Sequence, residues 1–506
     1  MPITTDEVFK KYTDEKTFSK IVNYASVSEM WEHSLKEYSD LNAICYDGVH
    51  YTYKKVEEDA ASLRAVLKNS GAENGERIGL LCTNSYDFVK AFVAITTGGY
   101  SAAILPPHLD QNVIFGCSML LGLKRIVAEP VLAEKTELAK SKGKAVISTQ
   151  DTSSESLPPV QAKGDSECVL MFTGGTTGKS KAAILTNQAV MQGTVNGCYG
   201  YKDVFNQKYI LALPLSHVFG LIRNLTTTLY TGSEILICKN NKDMFKDIGM
   251  FAPTVFVAVP GLIELGLKLS NQMKTNLFGP AMKYIIAGAA TVSPYLVEEC
   301  KKLGISLLPG YGLTETANLV SGNPDSAENP ESVGFFFPNQ EYRIENGELW
   351  LKGTNLFSGY AAADPQENEI AFQDGWFKTG DLVRVDEKGY LYITGRTKEI
   401  IVLPTGENIS PAELETKFNE LPFIQDSQVF EDVDESGNHY LSLEVLPRPS
   451  ELAKIADEDK AAFITKELEE VNMALPSFQR VSKIVIRDTD FERTPSMKIK
   501  RYKKCN

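Results

Sequence analysis

The feature that most limits what this chain can fold into is a repeated switch of period. "YTYKKVEEDAASLRAVLKNSG" sets Val56, Ala60, Leu63 and Leu67 on one helical face, with Gly71 as a stop. "ERIGLLCTN" follows as a short buried strand, and a helix begins near Tyr86. The same alternation recurs at "EILIC", "PTVFVAV" and "MKYIIAGAA". Strands separated by helices pair in parallel and are covered on both faces, so the pattern predicts α/β architecture with largely parallel sheets. No internal repeat of fixed period accompanies it.

A chain of 506 residues can bury a large core and divide into domains. The stretch "STQDTSSESLPPVQAKGDSE" (148–167) has a linker's composition but runs straight into the apolar "CVLMFT", so it reads as a surface loop inside one domain. The better boundary lies near 396–398. Beyond it the chain becomes more charged and reads as a small α+β unit: "DSQVFEDV", "YLSLEVLP", a helix through "KAAFITKELEEVN", then "KIVIRD". The expected domains are 1–396 and 397–506.

Net charge is −13, which excludes a general nucleic-acid binder; the basic tail "KIKRYKK" is short enough to be a solvated end. Eight dispersed cysteines without a C-x-x-C pair read as reduced thiols filling the core, and five scattered histidines argue against a zinc site. The longest uncharged run, "AFVAITTGGYSAAILPP" (91–107), is broken by Gly98-Gly99 and closed by two prolines. It predicts a helix followed by a buried strand, not a membrane span. The start "MPITTDEVFKKYTDEK" is polar and charged, with no visible secretory signal, and the expected location is cytoplasmic.

"MFTGGTTGKSKAAILTN" (171–187) is nearly a Walker A loop, but Thr173 stands where the first glycine of G-x-x-x-x-G-K-[ST] should be. A Walker enzyme also needs an apolar strand ending in a magnesium-holding aspartate, and none stands out. Instead, further motifs follow in order: "LPLSHVFG" (213–220), "GYGLTET" (310–316), "GELWLKG" (347–353), "DGWFKTGDL" (374–382), "GRTKEIIVLPTGENISPAELE" (395–415) and "RTPSMKIKR" (493–501).

In these motifs, from about residue 30 to the C-terminus, the sequence resembles the adenylate-forming superfamily of acyl-CoA synthetases, peptide-synthetase adenylation domains and firefly-type luciferases. The resemblance implies a large N-terminal domain of stacked αβ layers and a small mobile α+β C-terminal domain. It also implies an AMP-forming carboxylate–CoA ligase that uses ATP and Mg²⁺, with CoA as co-substrate and a fatty acid as the leading substrate class. A freestanding enzyme that loads an acyl-carrier protein is the alternative.

The implied chemistry asks for these residue types. A carboxylate must attack an α-phosphate that is itself anionic, so the site must neutralise charge and align the attack. Gly174, Gly175 and Gly178 let backbone N–H groups approach phosphate oxygens, while Thr173, Thr176 and Thr177 add hydroxyls. Lys181 matches the loop's lysine. By resemblance, Tyr311 stacks on adenine, Thr314 contacts phosphate, Glu315 holds magnesium, Asp381 receives the ribose hydroxyls and Arg396 reaches ribose and phosphate. Lys398 is the hinge on which the small domain turns. Lys498 is the mobile lysine on the reacting carboxylate and α-phosphate, although Met497 replaces the usual preceding glycine. Gly406 would line the pantetheine tunnel, in a segment, "IVLPTGENI", that looks like the long-chain-type form. The loop also departs from the family pattern at Gly174, Ser180 and Ala182, none of which removes a charge.

His217 matches the histidine at the acyl-pocket rim, and Gly288 lies in the small-residue run "AGAAT" that keeps a channel open. Arg223, six residues beyond His217, falls where the acyl pocket is often lined. Buried there, it would favour an acid with a second anionic or polar group. Ordinary burial statistics favour an arginine turned outward on its helix.

Overall fold

The predicted first helix forms over Tyr53–Asn69, capped by the Thr52 side chain on the Lys55 amide, and it ends where the glycine stop was read. Gly71 has φ +81° and donates to the Lys68 carbonyl at 2.9 Å, a left-handed turn that costs glycine little. This is a computed structural model, and it describes residues 5–173, 181–240, 242–362, 365–402, 407–433, 439–493 and 499–501.

Two large sheets carry the N-terminal part. The first runs Tyr360–Ala361, Lys181–Thr186, Glu167–Thr173, Ser101–Ile104, Arg77–Leu81, Arg125–Ala128 and Ala145–Ser148. It is parallel from Glu167–Thr173 to Ala145–Ser148 and antiparallel at the other edge. The 148–167 stretch therefore joins two strands of one sheet, as a loop inside a domain should. The second sheet is parallel through its middle strands, Ser306–Leu313, Tyr284–Ala287, Val255–Ala258, Lys208–Leu211, Glu234–Ile237 and Asn42–Tyr46. Antiparallel strands border it at each end, Asn318–Gly322 then Phe335–Phe336 on one side and Val49–Thr52 on the other.

The run 91–107 forms a helix, Tyr86–Thr97, and then the buried strand Ser101–Ile104. Phe88, Phe92, Val93 and Ile95 on this helix are all buried, so apolar residues occupy every face. They belong to the same core as Ile78 and Val169 of the first sheet and Ile210 and Ile286 of the second. The helix thus fills the space between sheets, and Phe92→Ala would cost about 3–5 kcal/mol. No described helix is long and apolar enough to cross a membrane.

A third, antiparallel sheet of Glu341–Glu345, Glu348–Lys352, Trp376–Val385, Phe372–Gln373 and Leu391–Arg396 follows. The small C-terminal unit has its own core. Strands Ile424–Val433, His439–Pro447 and Lys483–Ile486 pack with helices Pro411–Asn419 and Asp457–Ala474 around Leu414, Phe418, Leu443, Ile464 and Leu468. It touches the large unit through Arg448, whose Nε donates to Glu264 Oε1 at 2.8 Å and whose guanidinium carbon lies 3.7 Å from the centre of the Tyr295 ring.

Candidate active site

The strand Ser306–Leu313 passes Gly310, Tyr311 and Gly312 and ends in a tight turn at Thr314–Thr316. Its close pairing with Asn318–Gly322 explains the glycine at 312, where a Cβ would lie 2.1 Å from the Asn318 carbonyl oxygen. Two carboxylates converge on this strand and turn, one before the turn and one within it.

The first is Asp381, on the strand Trp376–Val385 and 2% exposed. It pairs in register with Arg396 on the neighbouring strand. Tyr311 Oη donates to its Oδ2 at 2.5 Å and Arg396 Nε donates to its Oδ1 at 2.6 Å. Burial and the Asp381 carboxylate together push the Tyr311 phenol well above its ordinary range, so it remains a donor. A buried carboxylate with two donors can exchange those donors for ligand hydroxyls.

The second is Glu315. Tyr360 Oη donates to its Oε1 at 2.7 Å, and its carbonyl oxygen accepts from the Phe357 amide at 2.8 Å. Tyr360 is carried by the edge strand Tyr360–Ala361, which pairs antiparallel with Lys181–Thr186. Burial and the Glu315 carboxylate raise its phenol strongly. The same edge brings in Lys181, whose Nζ lies 2.7 Å from Glu367 Oε1 and 5.2 Å from the centre of the Tyr360 ring. Sequence reasoning missed Tyr360 and Glu367; the two-residue edge strand that positions Tyr360 leaves no periodic signal.

Thr173 closes the strand Glu167–Thr173 and pairs in register with Lys181. Gly174, Gly175, Thr176, Thr177 and Gly178, between those partners, lie outside the described residues, as do Gly406 and Lys498. Next to Lys498, Arg493 and Ile499 form a bridge, and Arg493 pairs with Asp426 at 2.6 Å. Lys398 is exposed in the single turn Thr397–Glu399. Thr314 opens the turn that carries Glu315.

His217 is half-buried, and its amide donates to the Pro214 carbonyl at 3.1 Å. Two residues on begins a π-helix, Phe219–Thr226, buried along its whole length. Gly288 is shaped by it: a Cβ there would stand 3.1 Å from Phe219 Cζ. Arg223 is 2% exposed, so the outward-turned arginine favoured by ordinary statistics is not what forms. In a π-helix the backbone bonds run i→i+5, and this one is buried along its whole length, so the average exposure of arginines does not hold at residue 223.

Two carboxylates flanked by a tyrosine, an arginine and a lysine, beside a hairpin whose connection is glycine-rich, suit a nucleotide. Among the described residues no group of three or more His, Cys, Asp and Glu side chains could hold a metal alone. A single carboxylate such as Glu315 would suit a magnesium ion only if phosphate oxygens and waters completed its shell.

The comparisons agree with this geometry. A long-chain-fatty-acid–CoA ligase of Yersinia pestis is 26% identical over 78% of this chain and 80% of its own length. An oxalate–CoA ligase of Arabidopsis thaliana is 26% identical over 94% of this chain and 97% of its own length. The crystal structure of the anthranilate CoA ligase AuaEII in complex with anthranoyl-AMP superposes with a TM-score of 0.83 at 19% identity, covering 95% of this chain and 96% of that one, and so shares the fold. Residues 398–505 match the AMP-binding enzyme C-terminal domain. Residues 31–361 match the AMP-binding enzyme family, and the chain belongs to it.

Proposed function

We propose that the protein is an ATP-dependent, AMP-forming carboxylate–CoA ligase. The observation that carries this reading is the pairing of Asp381 with Arg396 and with Tyr311, whose own strand leads within four residues to Glu315. In the first step a carboxylate oxygen of the acid attacks the α-phosphorus, a new P–O bond forms, and pyrophosphate leaves with the electrons of the broken bond. In the second, a thiol loses its proton and its sulfur attacks the acyl carbon, and AMP leaves.

Each residue then has a task. Tyr311 lies against the adenine, and Asp381 accepts from the ribose hydroxyls while Arg396 turns toward ribose and phosphate. Lys181 exchanges Glu367 for phosphate oxygens, joined by Thr173, Thr314 and the loop residues Gly174, Gly175, Thr176, Thr177 and Gly178. Magnesium at Glu315 would neutralise phosphate charge. Lys498 contacts the reacting carboxylate and α-phosphate, and an ammonium on a flexible stem is easily brought in and withdrawn. His217 and Gly288 border the acid. We place the domain boundary after residue 396, with 397–506 turning about Lys398 between steps so that Gly406 comes to line the path of the thiol arm. The separate core of the small unit and the exposed single turn at Thr397–Glu399 support that division. The "IVLPTGENI" segment and the relative from Yersinia pestis support a fatty acid; the buried Arg223 supports a more polar acid instead.

The test is release of pyrophosphate and AMP across short, long, aromatic and dicarboxylic acids, each with and without CoA. AMP release that requires one acid and CoA supports the ligase. Pyrophosphate release on which CoA has no effect would instead favour loading of an acyl-carrier protein.

A further inference from the structure

Among the described residues no acid balances the buried Arg223, its Nη1 has no hydrogen-bond partner, and its Nη2 reaches only the Tyr201 hydroxyl, at 3.5 Å. The Tyr201 and Tyr209 phenols and the Cys198 thiol are the groups that act on it most strongly. Its guanidinium carbon stands 5.9 Å from the centre of the Tyr201 ring, at the far limit of a cation–π contact. A buried cation left this way is costly, and folds normally place a carboxylate against it.

It faces a cavity, not packed side chains. The space is a narrow recess that opens to solvent, and Arg223 lines it with Tyr201, Asn196, Ile286, Pro309 and Leu319. Two polar neighbours in this wall are already engaged: Asn196 Nδ2 donates to the Leu319 carbonyl and its Oδ1 accepts from Gln192, while the Tyr201 hydroxyl shares a 2.7 Å bond with Tyr209. The guanidinium is the charged group of the wall and has donors left for an occupant.

The cavity adjoins the proposed reaction site through the backbone. Pro309 in its wall is two residues before Tyr311 on the strand Ser306–Leu313, a rise of about 7 Å. Leu319 in its wall pairs in register with Gly312. Ile286 is two residues before Gly288. A molecule with one end at the nucleotide would extend its other end along these strands toward Arg223.

We propose that the acid activated here is a short dicarboxylate, and that Arg223 binds the carboxylate that does not react. The proposal rests on the ligase reading above. An apolar tail in this cavity would seal the guanidinium against methylene groups, whereas a second carboxylate supplies the planar, charged partner that an arginine fork accepts.

The experiment measures pyrophosphate release by the full chain with ATP and Mg²⁺, using dicarboxylates of increasing length. Each is compared with the monocarboxylate of equal length and with its half methyl ester. We expect one short dicarboxylate to exceed both controls by about 100-fold or more in kcat/KM. In Arg223→Leu that preference should fall below about tenfold. Arg223→Lys, which keeps the cation and suits the case in which the leucine variant does not fold, should keep the preference with a raised KM. Monocarboxylates or half esters used as well as the dicarboxylates overturn the proposal and leave the ligase reading standing. A dicarboxylate preference that survives in Arg223→Leu overturns the role of Arg223. No pyrophosphate release with any acid overturns the ligase reading, and this proposal with it.

Discussion

The hydroxyl of Tyr360 donates to Oε1 of Glu315 at 2.7 Å, across 45 positions of chain. The bond leaves Oε2 unencumbered by Tyr360 and fixes how the carboxylate turns. Tyr360→Phe removes the donor and keeps the ring over Lys181. If Glu315 holds magnesium, the variant should need about 10- to 100-fold more Mg²⁺ for half-maximal pyrophosphate release. An unchanged magnesium dependence would detach Tyr360 from that role.

Asp381 accepts from both Tyr311 and Arg396. Asp381→Asn keeps the shape but removes the charge, and it presents an N–H₂ to one of the two donors. ATP binding, measured by calorimetry, should weaken by about 1.5–3 kcal/mol, the worth of a hydrogen bond to a charged group. Thermal melting of the free protein should fall as well, because Arg396 loses its partner.

Stability should decline in alkali, for a reason carried by the buried thiols. Burial pushes Cys168, Cys198, Cys238 and Cys300 from 9.0 up to about 12, and Cys45 to about 11. Above pH 9 the unfolded chain sheds these protons while the folded chain keeps them. The unfolded state then binds fewer protons, and the free energy of unfolding falls as pH rises from about 9 toward 12. Urea midpoints at pH 7.5, 9 and 10.5 check this; a midpoint that does not move between the last two would refute it.

Glu264→Gln weakens the contact between the large unit and Arg448, which keeps its bond to the Pro422 carbonyl. Should the small domain turn between steps, this contact belongs to one of the two orientations. The substitution should then move the two half-reactions in opposite directions, by about tenfold for each 1.4 kcal/mol of lost contact. Pyrophosphate release and thioester formation, measured in single turnovers, distinguish this from a uniform loss, which would mean that both orientations share the contact.

Much of the fold could be read from the residues, and the reasons are local. The helix of Val56 and Leu67, the strand of "ERIGLLCTN" and the loop at 148–167 each carry their own pattern and stop signal. The order from Tyr311 through Asp381 to Arg396 likewise stands in the sequence, although nothing in it says that the three side chains touch. The contacts of Tyr360 and Glu367 depend on which edge a two-residue strand joins, and no spacing encodes that. Arg223 departs from the burial statistics of arginine because it sits in a π-helix buried along its whole length, a setting that no spacing in the sequence announces.

The strand Ser306–Leu313 is clamped between Tyr284–Ala287 on one side and Asn318–Gly322 on the other. Held by two ladders, it cannot slide, so the span from Pro309 to Tyr311 acts as a ruler with fixed marks. A flexible pocket could adjust to a homologous series of acids, giving a gradual decline in rate with length. A ruler of this kind makes each added carbon count, and the selectivity of the enzyme along such a series should rise and fall sharply around a single length.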